Sequence, residues 1–213
     1  MLIDMHNHTT VASPCSALTP VELIETARTL GLDAICVTDH QWIKGANAAQ
    51  RTGQRLGFPV FRGVEARTDL GDMLLYGYYE DIPEDIALES LCPTVHRAGG
   101  LIFAAHPFHL SGGWNLYSAF RHRGRDLARE WDKIPILREL DGIEVINGGA
   151  SVQANAHARD LADRLGVPGI GGSDAHHSDG IGLAATEFPE PITSDEELVE
   201  ALRQGRFEAV YLN

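Results

Sequence analysis

Residues 101–107 read Leu101-Ile102-Phe103-Ala104-Ala105-His106-Pro107. Five consecutive apolar residues are too few for a stable helix and suit a strand buried on both faces, the kind a parallel sheet contains. The run stops on a histidine followed by a proline. Working outward, the same construction recurs. Leu2–Met5, broken only by Asp4, precedes His6 and His8. Ala34–Val37 precedes Asp39 and His40. Pro59–Phe61 lies just before Glu65. Gly142–Ile146 carries Glu144 and is followed by Asn147. Val167–Gly171 precedes Asp174 and His176. Met73–Tyr79 reads as a further strand.

Amphipathic stretches lie between these runs. Thr19-Pro20-Val21-Glu22 opens a helix with a capping box and a proline at its first position. Leu23, Ile24, Ala27 and Leu30 form its apolar stripe, and Gly31 stops it. Further helices are expected at 45–56, 152–165 and 195–204, the last capped by Ser194 and Glu197. Residues 83–98 are helical in part, with a break expected near Pro93. Strands alternating with helices predict an α/β fold built on parallel strands. A closed barrel and an open doubly wound sheet both satisfy the pattern. In either, the carboxyl ends of the strands converge on one face.

Composition narrows the class. Two hundred and thirteen residues suit one domain, 1–213, with an insertion at about 107–140. Seventeen Lys+Arg against thirty Asp+Glu give a net charge of −13, which disfavours a nucleic-acid polymer as partner. No apolar stretch is long enough for a membrane span, and the N-terminus lacks the pattern of a secretory signal. Three widely spaced cysteines, Cys15, Cys36 and Cys92, argue against a disulfide framework and suit the cytoplasm. Oligomeric state is silent.

The residues at the strand ends share one chemistry. His6 and His8 are two apart, so in an extended segment both imidazoles point the same way. Imidazole with carboxylate suits zinc, manganese or iron. Each residue has a bland reading by itself: His40 capping a turn, His106 a satisfied core histidine, Asp174 the N-cap of a turn. All of these holding together at successive strand ends is the improbable outcome.

Asp4-Met5-His6-Asn7-His8-Thr9, Val37-Thr38-Asp39-His40, Gly63-Val64-Glu65, Ala104-Ala105-His106-Pro107 and Gly172-Ser173-Asp174-Ala175-His176 occur in that order. This ordered set resembles the polymerase and histidinol phosphatase (PHP) family of metal-dependent phosphoesterases over nearly the whole chain. The resemblance implies a distorted (β/α)7 barrel with two or three divalent ions at the carboxyl ends of the strands. It also implies hydrolysis of a phosphoester by metal-activated water. Carried over, His6, His8, Glu65 and Asp174 hold a first ion, Glu65 bridges to a second shared with His106, and His40 and His176 hold a third. Asp39 is a partner that orients an imidazole.

Two positions depart from the family. The loop at 12–20 has neither the His nor the Asp that many members carry, and Cys15 is either a thiolate substitute or a small buried residue. After Glu65, where members often place a His, stands Gly71-Asp72-Met73; Asp72 is either an oxygen ligand or part of a turn. The insertion carries Arg121, Arg123 and Arg125, expected to bind a substrate phosphate as part of a lid, or else to face water from a solvated helix. His109 and His177 are candidate general acids. The expected substrate is a small phosphomonoester or phosphodiester, such as a nucleotide or sugar phosphate. The alternatives are hydrolysis of a non-phosphate bond and a non-catalytic metal-binding regulatory module.

Overall fold

The structure, a computed structural model, describes residues 1–109 and 114–212. Its strands are β1 (Leu2–Asp4), β2 (Ala34–Val37), β3 (Val60–Thr68), β4 (Gly71–Tyr76), β5 (Leu101–Ala104), β6 (Gly142–Asn147), β7 (Gly169–Gly172), β8 (Ala184–Glu187) and β9 (Glu208–Tyr211). Its helices are α1 (Pro20–Thr29), α2 (Lys44–Leu56), α3 (Leu88–Arg97), α4 (Leu116–His122), α5 (Leu127–Glu130), α6 (Val152–Leu165) and α7 (Asp195–Gln204). The strands form one sheet in the order β7-β6-β5-β4-β3-β2-β1-β8-β9.

This sheet rolls into a nearly closed, distorted α/β barrel, with helices outside. The seam lies between β7 and β1, where Asp174 N–H donates to the His6 carbonyl at 2.8 Å and His8 N–H to that of Ala175 at 3.1 Å. A Cβ at Gly172 would lie 2.5 Å from His6 Cβ, so only glycine lets the two strands approach this closely.

Alternation sorts the strand residues into two cores. Ile3, Cys36, Leu74, Tyr76, Leu101 and Phe103 pack inside the barrel, over α7 residues Leu198 and Leu202. Ile35, Val37, Leu75, Ile102 and Ile143 face the helices. The inward face of β3 runs through Phe61 to Glu65 and Arg67, so the strand that packs the barrel's interior also delivers those two side chains.

Parallel pairing joins β1–β2, β2–β3, β5–β6 and β6–β7, but β4 runs antiparallel to both its neighbours. A tight turn at Asp69-Leu70 replaces the helix expected in a parallel unit; Thr68 Oγ1 donates to the Gly71 carbonyl at 2.6 Å and closes it. The start of β4, not its end, therefore lies on the face where β3 finishes. β8 and β9 also break the parallel rule, β8 pairing antiparallel to β1 and β9 to β8. The expected break at Pro93 does not occur. α3 runs through it, because the one carbonyl left without its helical partner belongs to Glu89, on the exposed side. Thr19 and Glu22 form the expected capping box, whereas Glu197 bonds Thr193 and leaves Ser194 to cap α7 alone.

The insertion folds into α4, α5 and two 3-10 turns (Trp131–Lys133 and Pro135–Glu139) between β5 and β6. Leu116, Phe120, Leu127 and Leu137 are buried, and Trp131 packs against the same core. Residues 110–113 of the insertion lie outside the described residues. Among the described residues no helix is long and apolar enough to cross a membrane.

Candidate metal centre

The barrel's carboxyl end collects side chains from seven strands, β1 to β7. β1 leads into His6 and His8, and both rings are fully buried. Their outer nitrogens are occupied. His6 Nδ1 lies 3.0 Å from Glu144 Oε1. His8 Nδ1 lies 3.1 Å from Ser13 Oγ, and that hydroxyl donates to Asp39 Oδ1 at 2.6 Å. A hydroxyl that has given its proton to a carboxylate can only accept, so His8 carries its proton on Nδ1. A carboxylate beside His6 Nδ1 fixes the same tautomer there. Both Nε2 atoms then face inward with lone pairs, only 3.0 Å apart.

Two carboxylate oxygens flank this pair of nitrogens. Glu65 Oε2 stands 3.6 Å from His6 Nε2 and 3.3 Å from His8 Nε2. Asp174 Oδ1 stands 3.5 and 3.2 Å from the same two atoms. A cation bound at about 2.0–2.2 Å by four such donors needs them about 3.3–3.6 Å apart. Glu65 Oε2 is also buried, and His40 Nδ1 lies 2.8 Å from it, so a third imidazole closes on the same oxygen. The donors fit a divalent ion.

The neighbouring groups extend the cluster. Glu65 Oε1 lies 3.0 Å from His106 Nε2, while the His106 Nδ1 is buried without a partner among the described residues. Glu65, Asp72 and His106 offer a second set of converging donors, as do His6, His106 and Asp174. His8, His40 and His176 offer a further set, with the His8 ring 4.4 Å from His40 and 4.3 Å from His176. His176 Nδ1 donates to the Asp174 carbonyl at 2.9 Å, which turns Nε2 toward the cluster. Glu144 accepts from His106 N–H at 2.7 Å and from Asn147 Nδ2 at 3.1 Å, and with its contact to His6 it ties β6 to the loops that carry His6 and His106.

Backbone strain concentrates here. His106 (φ 27°), Asp174 (φ 55°) and Gln41 (φ 60°) have left-handed or near-left-handed backbones that non-glycine residues seldom adopt. The electrostatics follow from the packing. Burial opposes charge on His106, but the Glu65 hydrogen bond and the charges of Asp174, Glu65 and Glu144 outweigh it and raise its pKa to about 9. Burial dominates at His8 and pushes it down to about 4. Burial also resists ionisation of Glu65 and Asp174, yet the surrounding imidazoles hold both well below the usual carboxylate range. Without a metal, the facing His6 and His8 nitrogens have room for one proton, and the carboxylates around His6 keep it there.

A cavity of about 430 Å³ opens over the cluster, lined by Cys15, His40, Glu65, Arg67, Asp72, His106, His109, Gly149, Asp174 and His176. Every predicted metal-ligating residue is in this cavity's wall or in the cluster beneath it. Asp39 sits behind Ser13. His109 lines the cavity, its ring 6.1 Å from that of His106. His177 is exposed and lines a separate depression with Glu22 and Glu25. Arg121, Arg123 and Arg125 do not line the cavity: Arg121 is exposed, Arg123 pairs with Asp69 at 3.0 Å, and Arg125 pairs with Glu130 at 3.0 Å. Asp72 reaches the site because β4 begins there. Cys15 stands at the rim.

Sequence reasoning missed Ser13, Gln41 and Arg67, and noticed Glu144 without a role. The signal for Arg67 was available, since it lies two residues beyond Glu65 in one strand and shares its face.

Comparison with known proteins agrees with this geometry. Residues 4–131 match the PHP domain model, and residues 152–207 match a PHP-associated model. An uncharacterized protein of Methanocaldococcus jannaschii is 27% identical over 69% of this chain and 82% of its own. A solved structure from Bifidobacterium adolescentis, named for a metal-dependent phosphoesterase, superposes with a TM-score of 0.65 at 19% identity, covering 94% of this chain and 95% of that one. An amidohydrolase from Chromobacterium violaceum, with bound sulfate and no metal, gives 0.67 at 17% identity over 99% and 98%.

Proposed function

The chain belongs to the PHP domain family, and on that premise we propose that it is a metal-dependent hydrolase of a small phosphomonoester or phosphodiester. The observation that carries this reading is the buried pair of inward-facing nitrogens, His6 Nε2 and His8 Nε2, with Glu65 Oε2 and Asp174 Oδ1 each 3.2–3.6 Å from both. Two or three divalent transition ions, zinc, manganese or iron, are the proposed cofactors, held by those residues with His106, His40 and His176. Such ions supply Lewis acidity that lowers the pKa of water and neutralises phosphoryl charge.

The protein's own residues do the rest. Glu144 and the Ser13–Asp39 pair hold two imidazoles with lone pairs inward, so the ligand set is formed before substrate arrives. Glu65 offers one oxygen to the His6–His8–His40 side and the other to His106. His109, at the cavity wall, is the proposed donor of a proton to the leaving oxygen; burial and the nearby His106 lower its pKa and ease that transfer. The likeness to an amidohydrolase supports a second reading, hydrolysis of a non-phosphate bond on the same cluster.

Purified protein should carry transition metal by elemental analysis and hydrolyse an aryl phosphate. Asp174→Asn should lose both. Turnover of amides or lactones but of no phosphate ester would favour the second reading. Bound metal with no turnover of any of these would favour a regulatory module.

A further inference from the structure

We propose that Arg67 is the anion clamp of the cavity, gripping the phosphoryl group of a monoester beside the ligand cluster. This rests on the phosphoesterase reading and adds to it the residue that selects the substrate's charge.

Arg67 lies two positions beyond Glu65 on β3, so both side chains leave the same face of the strand. Directly across the β3–β4 ladder stands Asp72. Arg67 Nε donates to Asp72 Oδ1 at 3.3 Å, and Trp114 N–H holds Asp72 Oδ2 at 3.1 Å. The Arg67 backbone N–H donates to Gln41 Oε1 at 2.6 Å. The guanidinium is therefore fixed through one nitrogen. Its two terminal nitrogens have no protein partner among the described residues. A tethered guanidinium with a free edge suits bidentate capture of a phosphate.

Its surroundings make that edge distinctive. Among the described lining residues, Arg67 is the one Lys or Arg side chain in the cavity. A second lobe of about 320 Å³, lined by Gln41, Glu84 and Asp85, meets the first at His40 and Arg67. Those two carboxylates disfavour another anion there, so the cleft has one phosphoryl position. That points to a monoester whose remainder carries hydroxyl or amine donors.

The test is calorimetric titration of inorganic phosphate into metal-loaded wild type, Arg67→Ala and Arg67→Lys, with metal content measured on each. Arg67→Ala should weaken phosphate binding about tenfold to a hundredfold at unchanged metal content, and raise KM for an aryl phosphate by a similar factor. Arg67→Lys should fall between, because an ammonium lacks the fork. Wild-type affinity in Arg67→Ala, or weaker binding that merely follows metal loss, would overturn the assignment. Arg67-dependent phosphate binding in a protein that hydrolyses no ester supports the clamp and overturns the phosphoesterase reading. Ester hydrolysis with Arg67-independent phosphate binding does the reverse.

Discussion

The cavity at the carboxyl end of the barrel and the insertion beside it use charge in opposite ways. The insertion concentrates arginines within a short stretch of chain, and the structure pairs three of them near the surface, Arg123 with Asp69, Arg125 with Glu130 and Arg129 with Asp126. The cavity draws its groups one or two at a time from strands scattered along the chain and buries them against one another. Density in sequence is not density in space. A run of like charges repels itself and is readily solvated, whereas side chains at the ends of neighbouring strands have nowhere to point except at each other.

If the contrast is real, substitutions in the two regions should differ by orders of magnitude. Glu65→Gln removes the carboxylate shared by the proposed ligand sets and should abolish metal retention, with a loss of turnover of at least about a thousandfold. Glu144→Gln leaves every proposed ligand in place but weakens the brace on His6. Metal affinity should fall about tenfold to a hundredfold, read by competition with a chelator. Metal removal should expose the proton chemistry of the cluster. His106 is raised to about 9 in the folded state, above its ordinary 6.5, so it stabilises the metal-free protein fully below pH 6.5. That contribution, on the order of 3 kcal/mol, is lost as pH rises through 9. Thermal melts of metal-free protein should show the decline, and the metal-loaded protein should show little of it. The smallest effect belongs to the insertion: Arg121→Ala, Arg123→Ala and Arg125→Ala together should leave KM within about twofold. Each exposed pair should cost about 0–1 kcal/mol. A large rise in KM would erase the distinction between the two regions and restore the insertion as a lid.

The sequence made the proposed ligands legible because each stands at the end of an apolar run, a local signal, and the barrel turns such ends into neighbours. Partners across the sheet were less legible. Asp72 was noticed only as a departure from a pattern; what makes it a wall of the cavity is the antiparallel course of β4, set by a turn at Asp69-Leu70 and by pairing with β3 and β5. β8, Ala184-Ala185-Thr186-Glu187, has too little bulk to announce a strand and is fixed by its ladders with β1 and β9. Ser13 carries no metal chemistry of its own. Its part appears once Asp39 is seen to take its proton and His8 to need an acceptor. Arg67 was passed over in favour of richer basic company at 121–125, where abundance drew attention away from position.

The central claim is that four side-chain atoms from distant parts of the chain enclose a cation. Anomalous diffraction at a metal absorption edge, on crystals grown with manganese or zinc, reads this directly. The account predicts a strong peak within bonding distance of His6 Nε2, His8 Nε2, Glu65 and Asp174. Crystals that take up metal elsewhere and leave those four atoms in contact with one another, with no peak among them, would contradict it.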